Sequence, residues 1–211
     1  MTSRKSKVVL LILPLWLLAI GYGFRGILAY ENSPGTSATA PAAWPKDSTI
    51  IRQAALPTLL MFVHPRCPCS RASVNELEVL MTRGQGLVRA VVVFTRPLEV
   101  PEGWDKTDLW TTAGNIPGVN LIVDNGAEEA KRFGSQTSGQ VMLYSANGEL
   151  LFKGGITSSR GHNGDNDGLQ AILRMLTKDH SPLTETEVFG CPLFEKSPTS
   201  NLEDSCHANQ Y

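Results

Sequence analysis

The residues with the most evident chemistry are cysteines. The chain of 211 residues holds four, Cys67, Cys69, Cys191 and Cys206, too few to form a disulfide scaffold for its length. Two of them lie in His64-Pro65-Arg66-Cys67-Pro68-Cys69-Ser70. An apolar run precedes this stretch and an amphipathic one comes after it. The pair therefore falls where a strand is expected to turn into a helix N-terminus. Backbone N–H groups and the helix dipole favour thiolate over thiol there. Cys67 is expected as the N-cap and Pro68 as the first helical residue, with His64 and Arg66 adding donors or positive charge.

Thiol–disulfide exchange is the first chemistry such a pair suggests. A Cys67–Cys69 disulfide would close a very small ring. Native disulfides want Cα separations of roughly 4.4–6.8 Å, which an i, i+2 pair meets only with a bent backbone. A strained disulfide is easily reduced and so oxidising toward partner thiols. Cys67 would attack or be attacked, and Cys69 would resolve the mixed disulfide. Cys191, in a turn between Gly190 and Pro192, is a second candidate resolver; its other reading is a structural partner or a buried thiol. Cys206 sits in a polar tail and reads as unpaired, or as a partner of Cys191.

Three other readings compete. His64, Cys67 and Cys69 are soft ligands in a short span, suited to copper as Cu(I) or to zinc, with His162 and Cys206-His207 available to complete a site. The chain has no second closely spaced cysteine pair, which argues against a closed zinc site. A thiol peroxidase needs one low-pKa cysteine beside a cation, and Arg66 or Arg160 would supply the charge. The plain alternative is a redox-inert interaction domain whose free cysteines behave as small core hydrophobes. On the exchange reading no cofactor and no metal are expected.

The elements that position these residues are set by periodicity. Thr58–Val63 is apolar throughout, as in a strand buried on both faces. Ser70 to about Arg83 carries an apolar stripe and a candidate capping box, Ser73-Val74-Asn75-Glu76. Residues 87–94 form a β-branched strand, 105–115 a short helix, Val119–Val123 a strand and Ala127–Phe133 a short helix. Gln140–Tyr144 and Leu150–Lys153 flank Asn147-Gly148, a hairpin signal. Leu169–Lys178 is a last amphipathic helix, with Asp165 or Asp167 as its expected cap. The polar loop before it is a candidate to bring Arg160 or His162 to the cysteines, and Trp104 and Trp110 either cover the site or pack. Alternating strands and helices followed by a hairpin imply an α/β fold with a mixed sheet flanked by helices.

This order resembles the thioredoxin-like fold. Val123-Asp124-Asn125-Gly126, Lys131-Arg132-Phe133-Gly134, Gln140–Tyr144, Asn147-Gly148-Glu149-Leu150 and Gly154 are similar to the second half of membrane-anchored thioredoxin-like and peroxiredoxin-like (redoxin) proteins. More narrowly, His64–Ser73, Ile156–Asn166 and Val188–Phe194 resemble bacterial proteins called RedB-like, over about residues 57–195. The resemblance implies redox activity at the cysteines, with Gly139 at the substrate-binding edge. There are departures. Thioredoxins carry Cys-x-x-Cys, whereas here the spacing is Cys-x-Cys. If Cys67 takes the nucleophile's place, Ser70 falls at the resolving position; if Cys69 takes the resolving position instead, Arg66 falls at the nucleophile's, and helix geometry favours the first. A cis-proline is replaced by Ser138-Gly139, whose peptide is expected trans, since a cis bond without proline costs roughly 2.5–4 kcal/mol. Peroxiredoxins resemble one another in a Thr three residues before the cysteine, where this chain has His64.

The remaining sequence bears on compartment and partners. Arg4, Lys5 and Lys7 precede an uncharged run, Val8 to Phe24, of 17 residues, at the short end of the roughly 17–25 that span a bilayer. Snorkelling of Arg25 would let the span reach Tyr30. The flanking cations predict a single-pass anchor in the cytoplasmic membrane over residues 1–30, with the rest of the chain on the extracytoplasmic, periplasmic side. A cleaved signal peptide is the rival reading. Residues 31–48, rich in Pro, Ser, Thr and Ala, read as a flexible tether. The domain is expected over 49–180 and a tail over 181–211. A net charge of −1 implies no nucleic-acid partner. The partners expected are exported protein thiols or disulfides and the membrane.

Overall fold

A computed structural model describes residues 4–52, 54–177 and 182–194. His180, Cys206 and His207 lie outside the described residues. The chain divides into two compact units, one ending at Ser33 and one starting at Pro34. The first is a helix, α1 (Arg4–Glu31). Its stretch Ile12–Glu31, with a mean hydropathy of 1.6, is long and apolar enough to cross a membrane. Leu13, Leu15, Trp16, Leu17 and Leu18 succeed one another around the axis, and all are exposed. A helix apolar on every face suits a lipid surround.

The second unit runs β1 (Thr58–Val63), α2 (Ser70–Arg83), β2 (Arg89–Arg96), α3 (Asp108–Gly114), β3 (Val119–Asn125), α4 (Glu128–Arg132), β4 (Gln140–Tyr144), β5 (Leu150–Gly154) and α5 (Asp167–Leu176). Its sheet has the order β3-β2-β1-β4-β5. β1 lies parallel to β2 and antiparallel to β4, and β3 extends the parallel side. With α3, β3 and α4 set aside as an insertion, a β-α-β half meets a β-β-α half on the central strand. This is the thioredoxin-like arrangement expected from the sequence.

The alternation of β1 explains its place. Leu59, Met61 and Val63 pack with Val74, Leu77 and Leu80 of α2 and Ile172 of α5. Leu60 and Phe62 face the other way, toward Phe133 and Tyr144. A strand with two buried faces must lie in the middle of a three-layer domain. Its C-terminal end then opens directly onto the Cys-Pro-Cys stretch.

Several local expectations are corrected. Ser73 and Glu76 do not cap α2; both are buried within it. The Glu76 carboxylate instead accepts from the Gly164 N–H (2.7 Å) and Asn166 Nδ2 (3.4 Å), tying α2 to the loop before α5. Asn166, not Asp165 or Asp167, caps α5, accepting from the Leu169 N–H at 2.8 Å.

The expected tether is largely structured. Its residues from Pro34 onward lie against the domain rather than outside it. The Trp44 N–H donates to Gly148 O (2.7 Å) and the Leu150 N–H to Ala42 O (2.9 Å). The Tyr144 hydroxyl donates to Pro41 O (3.0 Å). Trp44 meets Phe133 and Tyr144 edge-on, both at 5.2 Å. Composition suggests flexibility, but one tryptophan and an unpaired hairpin edge supply enough contact to hold the segment. Residues 182–194 likewise run beside β5, with the Lys153 N–H donating to Thr184 O and the Gly155 N–H to Glu187 O (3.0 and 3.1 Å).

This packing predicts that Trp44→Ala lowers the unfolding free energy by about 2 kcal/mol, less than the roughly 3–5 kcal/mol of a fully buried large aromatic, since Trp44 is only half-buried. Urea unfolding measures it. An unchanged midpoint would mean that residues 34–48 behave as the tether their composition suggests.

Candidate functional site

β1 ends at Val63, and the chain then makes two tight turns. The Cys67 N–H donates to His64 O (3.1 Å), and the Ser70 N–H to Cys67 O (3.1 Å). Helix α2 starts at Ser70, with Cys69 at the capping position. This corrects the expectation that Cys67 caps the helix and Pro68 begins it. The 67–70 turn spends the Cys67 carbonyl on Ser70 and leaves the Cys67 side chain just ahead of the helix.

The facing bank is the segment before β4. Ser138 is fully buried. Its Oγ accepts from the His64 N–H (2.7 Å) and shares a 2.6 Å bond with Ser70 Oγ. The Gly139 N–H donates to Phe62 O at 2.8 Å. Gly139 has φ +90°, and a Cβ there would approach Ser73 Oγ to 2.7 Å, so glycine is required. There is no cis peptide bond among the described residues, in keeping with the expected trans Ser138-Gly139 linkage.

The third wall is residues 190–193. The Ser138 N–H donates to Cys191 O (2.8 Å) and the Leu193 N–H to Gln136 O (2.9 Å). Thr137 and Pro192 form an antiparallel bridge. Gly190 lies so close to the Ser138 carbonyl that any Cβ would collide with it. Arg160 reaches the same turn, its Nη1 donating to Gly190 O at 2.7 Å.

Together these segments place the sulfurs of Cys67, Cys69 and Cys191 within 4.8 Å of one another, all as free thiols. Cys67 and Cys69 are 3% and 8% exposed, and Cys191 is half-buried. Proximity makes their ionisation collective. The Cys191 and Cys69 thiols both donate toward Cys67, as do the Ser70 hydroxyl and the Cys191 N–H. These donors hold the Cys67 thiol far below the ordinary range, against the opposing effect of burial. Cys191 is pushed far up, chiefly by donating to Cys67 and Cys69. Cys69 is also raised by its bond to Cys67, by burial and by the Cys67 charge, while Cys191 and Arg160 oppose the rise. Of the three, Cys67 is therefore the thiol most favoured to ionise, and Cys69 and Cys191 the two disfavoured.

The other candidates divide. His64 turns its ring edge-on to Trp104 (5.5 Å), its Nδ1 accepts from the Arg66 N–H (3.3 Å), and it does not join the sulfur group. Burial holds its pKa down, partly offset by Cys67. Arg66 is exposed and stacks over Trp104 at 4.8 Å rather than facing the thiols. Thr107 Oγ1 donates to Pro65 O (3.1 Å), fixing the Trp104 loop on the motif. Trp110, half-buried, packs on Phe94 (4.8 Å) at the margin of the core. His162 is exposed. Sequence reasoning places Ser138 at the substrate edge without revealing that its hydroxyl joins the two banks. The signal for it is a serine immediately before the glycine at a strand entry.

The ionisation has a stability consequence. In the unfolded reduced chain a cysteine titrates at about 8.5, whereas folded Cys67 titrates lower. Its stabilisation is present above the unfolded value and is lost as pH falls toward the folded one. His64, held low by burial, acts in the same direction below about pH 6.5. The reduced protein should therefore lose stability between pH 8 and 5, by up to about 1.4 kcal/mol per pH unit for one proton. Cys67→Ser should flatten the part above pH 6.5. Urea midpoints across this range measure it; wild type and C67S with equal slopes would contradict the assignment.

No protein-family model matches the chain, and no curated protein matches it. Solved structures do. An uncharacterised conserved protein from Geobacillus kaustophilus aligns with a TM-score of 0.57 and 19% identity, over 80% of this chain and 95% of its own. A hypothetical protein from Sinorhizobium meliloti 1021 aligns at 0.54 and 16%, over 78% and 97%. A secreted Mycobacterium tuberculosis disulfide oxidoreductase homologous to Escherichia coli DsbE is more distant, at 0.42 and 15%, over 60% and 83%. Sheet order, strand directions and the cysteine motif at the end of the central β1 make this a protein of thioredoxin-like fold.

Proposed function

We propose that the protein is a thiol–disulfide oxidoreductase, anchored by α1 in the cytoplasmic membrane and acting on exported protein thiols. The observation that carries this reading is three free cysteine sulfurs within 4.8 Å of one another, with Cys67 the one most favoured to ionise. Exchange needs an ionised sulfur to attack or leave, and a second thiol to close the cycle.

The steps balance without any cofactor. In the oxidised protein Cys67 is joined to Cys69 or Cys191. A partner thiolate attacks the Cys67 sulfur, the S–S bond breaks, and Cys69 or Cys191 leaves and takes up a proton. A second partner thiol, giving up its proton, then attacks the partner's sulfur in the mixed disulfide, and Cys67 leaves as thiolate. The partner gains a disulfide, and the protein is left with two reduced cysteines. Stabilising the Cys67 thiolate stabilises the reduced protein, so its disulfide is oxidising, and a low-pKa sulfur also leaves fast. The favoured direction is oxidation of partner dithiols. Arg4, Lys5 and Lys7 ahead of the apolar stretch favour a cytoplasmic N-terminus, which puts the cysteines where disulfides persist.

Trapping of thiols by mass spectrometry, on the full chain in detergent across glutathione redox buffers, tests this. The expected potential lies above the roughly −270 mV of a reducing thioredoxin, toward the oxidising end of the range. Cys67→Ser should abolish exchange. Cys69→Ser and Cys191→Ser should each retain part of it, because the other thiol still resolves. The double variant should accumulate a Cys67 mixed disulfide. Thiols that ignore the buffer would overturn the reading.

A further inference from the structure

The same three sulfurs have a second property that exchange does not use. We propose that the reduced protein binds one Cu(I) ion through Cys67, Cys69 and Cys191, in a three-coordinate, all-sulfur site. This goes beyond the exchange reading and does not depend on it.

Distance is the first argument. Three sulfurs bound to an ion at about 2.3 Å form a triangle with edges of about 4 Å. The thiols already lie within 4.8 Å, so closing on an ion needs under about 1 Å of side-chain movement. Preorganisation is the second. Cys67 is held through its carbonyl by Ser70, Cys191 through its carbonyl by Ser138, and the Cys191 turn through Gly190 by Arg160. The site thus exists only in the folded chain, because Cys191 comes from a different segment.

The donor set decides the ion. Among the described residues, the group contains three cysteines and neither a carboxylate nor a histidine. His64 is turned to Trp104 and to the Arg66 N–H, so the group proposed here takes Cys191 in place of the His64 of the sequence-based set His64, Cys67 and Cys69. Soft thiolates select Cu(I) and zinc over harder cations. Zinc wants a fourth ligand, and the group offers three. The Ser70 hydroxyl, the Cys191 N–H and Arg160 lie where they offset the negative charge of the sulfurs. Any disulfide among the three consumes two of the ligands, so copper loading and oxidation exclude one another.

The test is titration of the reduced full chain in detergent, without oxygen, with Cu(I) against a competing Cu(I) chelator, followed by X-ray absorption. One tightly held copper per chain with three sulfur neighbours at about 2.3 Å is expected. Cys191→Ser, Cys67→Ser and Cys69→Ser should each lose it, His64→Ala should retain it, and the oxidised protein should not bind. Retention in C191S, loss in H64A, a nitrogen neighbour, or tight binding of zinc but not Cu(I) would overturn the proposal. Exchange assays on the same preparations separate its failure from that of the oxidoreductase reading.

Discussion

Ser138 is the joint on which the site depends. Its hydroxyl bonds the His64 N–H and the Ser70 hydroxyl, and its own N–H bonds the Cys191 carbonyl. One buried residue therefore connects the end of β1, the start of α2 and the segment carrying Cys191. Its neighbours are shaped to allow this. Gly139 takes a left-handed conformation against Ser73, and Gly190 has no side chain where it meets the Ser138 carbonyl. Polar groups this deeply buried must be paired to be tolerated, and here the pairing also fixes where three sulfurs sit.

Sulfurs held in this way have to share charge. Three thiols packed together cannot all ionise, since each thiolate disfavours the next. The arrangement resolves this unequally, because Cys67 receives the donors and the other two supply them. A sulfur at the head of a helix is already inclined to ionise; two thiol donors and the Cys191 N–H strengthen that inclination. The same inequality favours a reactive sulfur, and the same proximity favours a soft ion. Exchange and copper binding are thus two uses of one geometry, separated by oxidation state.

Much of this is legible in the sequence. β1 and β4 have the expected bounds, because Thr58–Val63 and Gln140–Tyr144 are apolar blocks closed by loop residues. The Cys67–Cys69 stretch lies at the strand–helix junction as its neighbours require. The bounds of α2 are as expected, Ser70–Arg83, but its cap is less legible: Cys69 rather than Cys67 holds the capping position, and Ser73 and Glu76 sit inside the helix, where Glu76 bonds a loop 88 residues away. The role of Pro34–Ser48 depends on Trp44 finding Phe133 and Tyr144, a long-range contact that composition does not reveal. Cys191 is recognisable as a candidate from its Gly-Cys-Pro setting. Its meeting with both other cysteines depends on backbone pairing to residues 136–138, which no local pattern encodes.

Unequal ionisation of the three thiols is the central claim, and it can be observed directly. The reduced protein, labelled with 13C at the cysteine β carbons, would be titrated by NMR with each cysteine assigned through its serine variant. Cys67 should already be a thiolate well below pH 7, while Cys69 and Cys191 remain protonated past the ordinary cysteine value of about 8.5. Three resonances titrating together near that value would contradict the claim, and would leave the sulfurs as neighbours without chemistry.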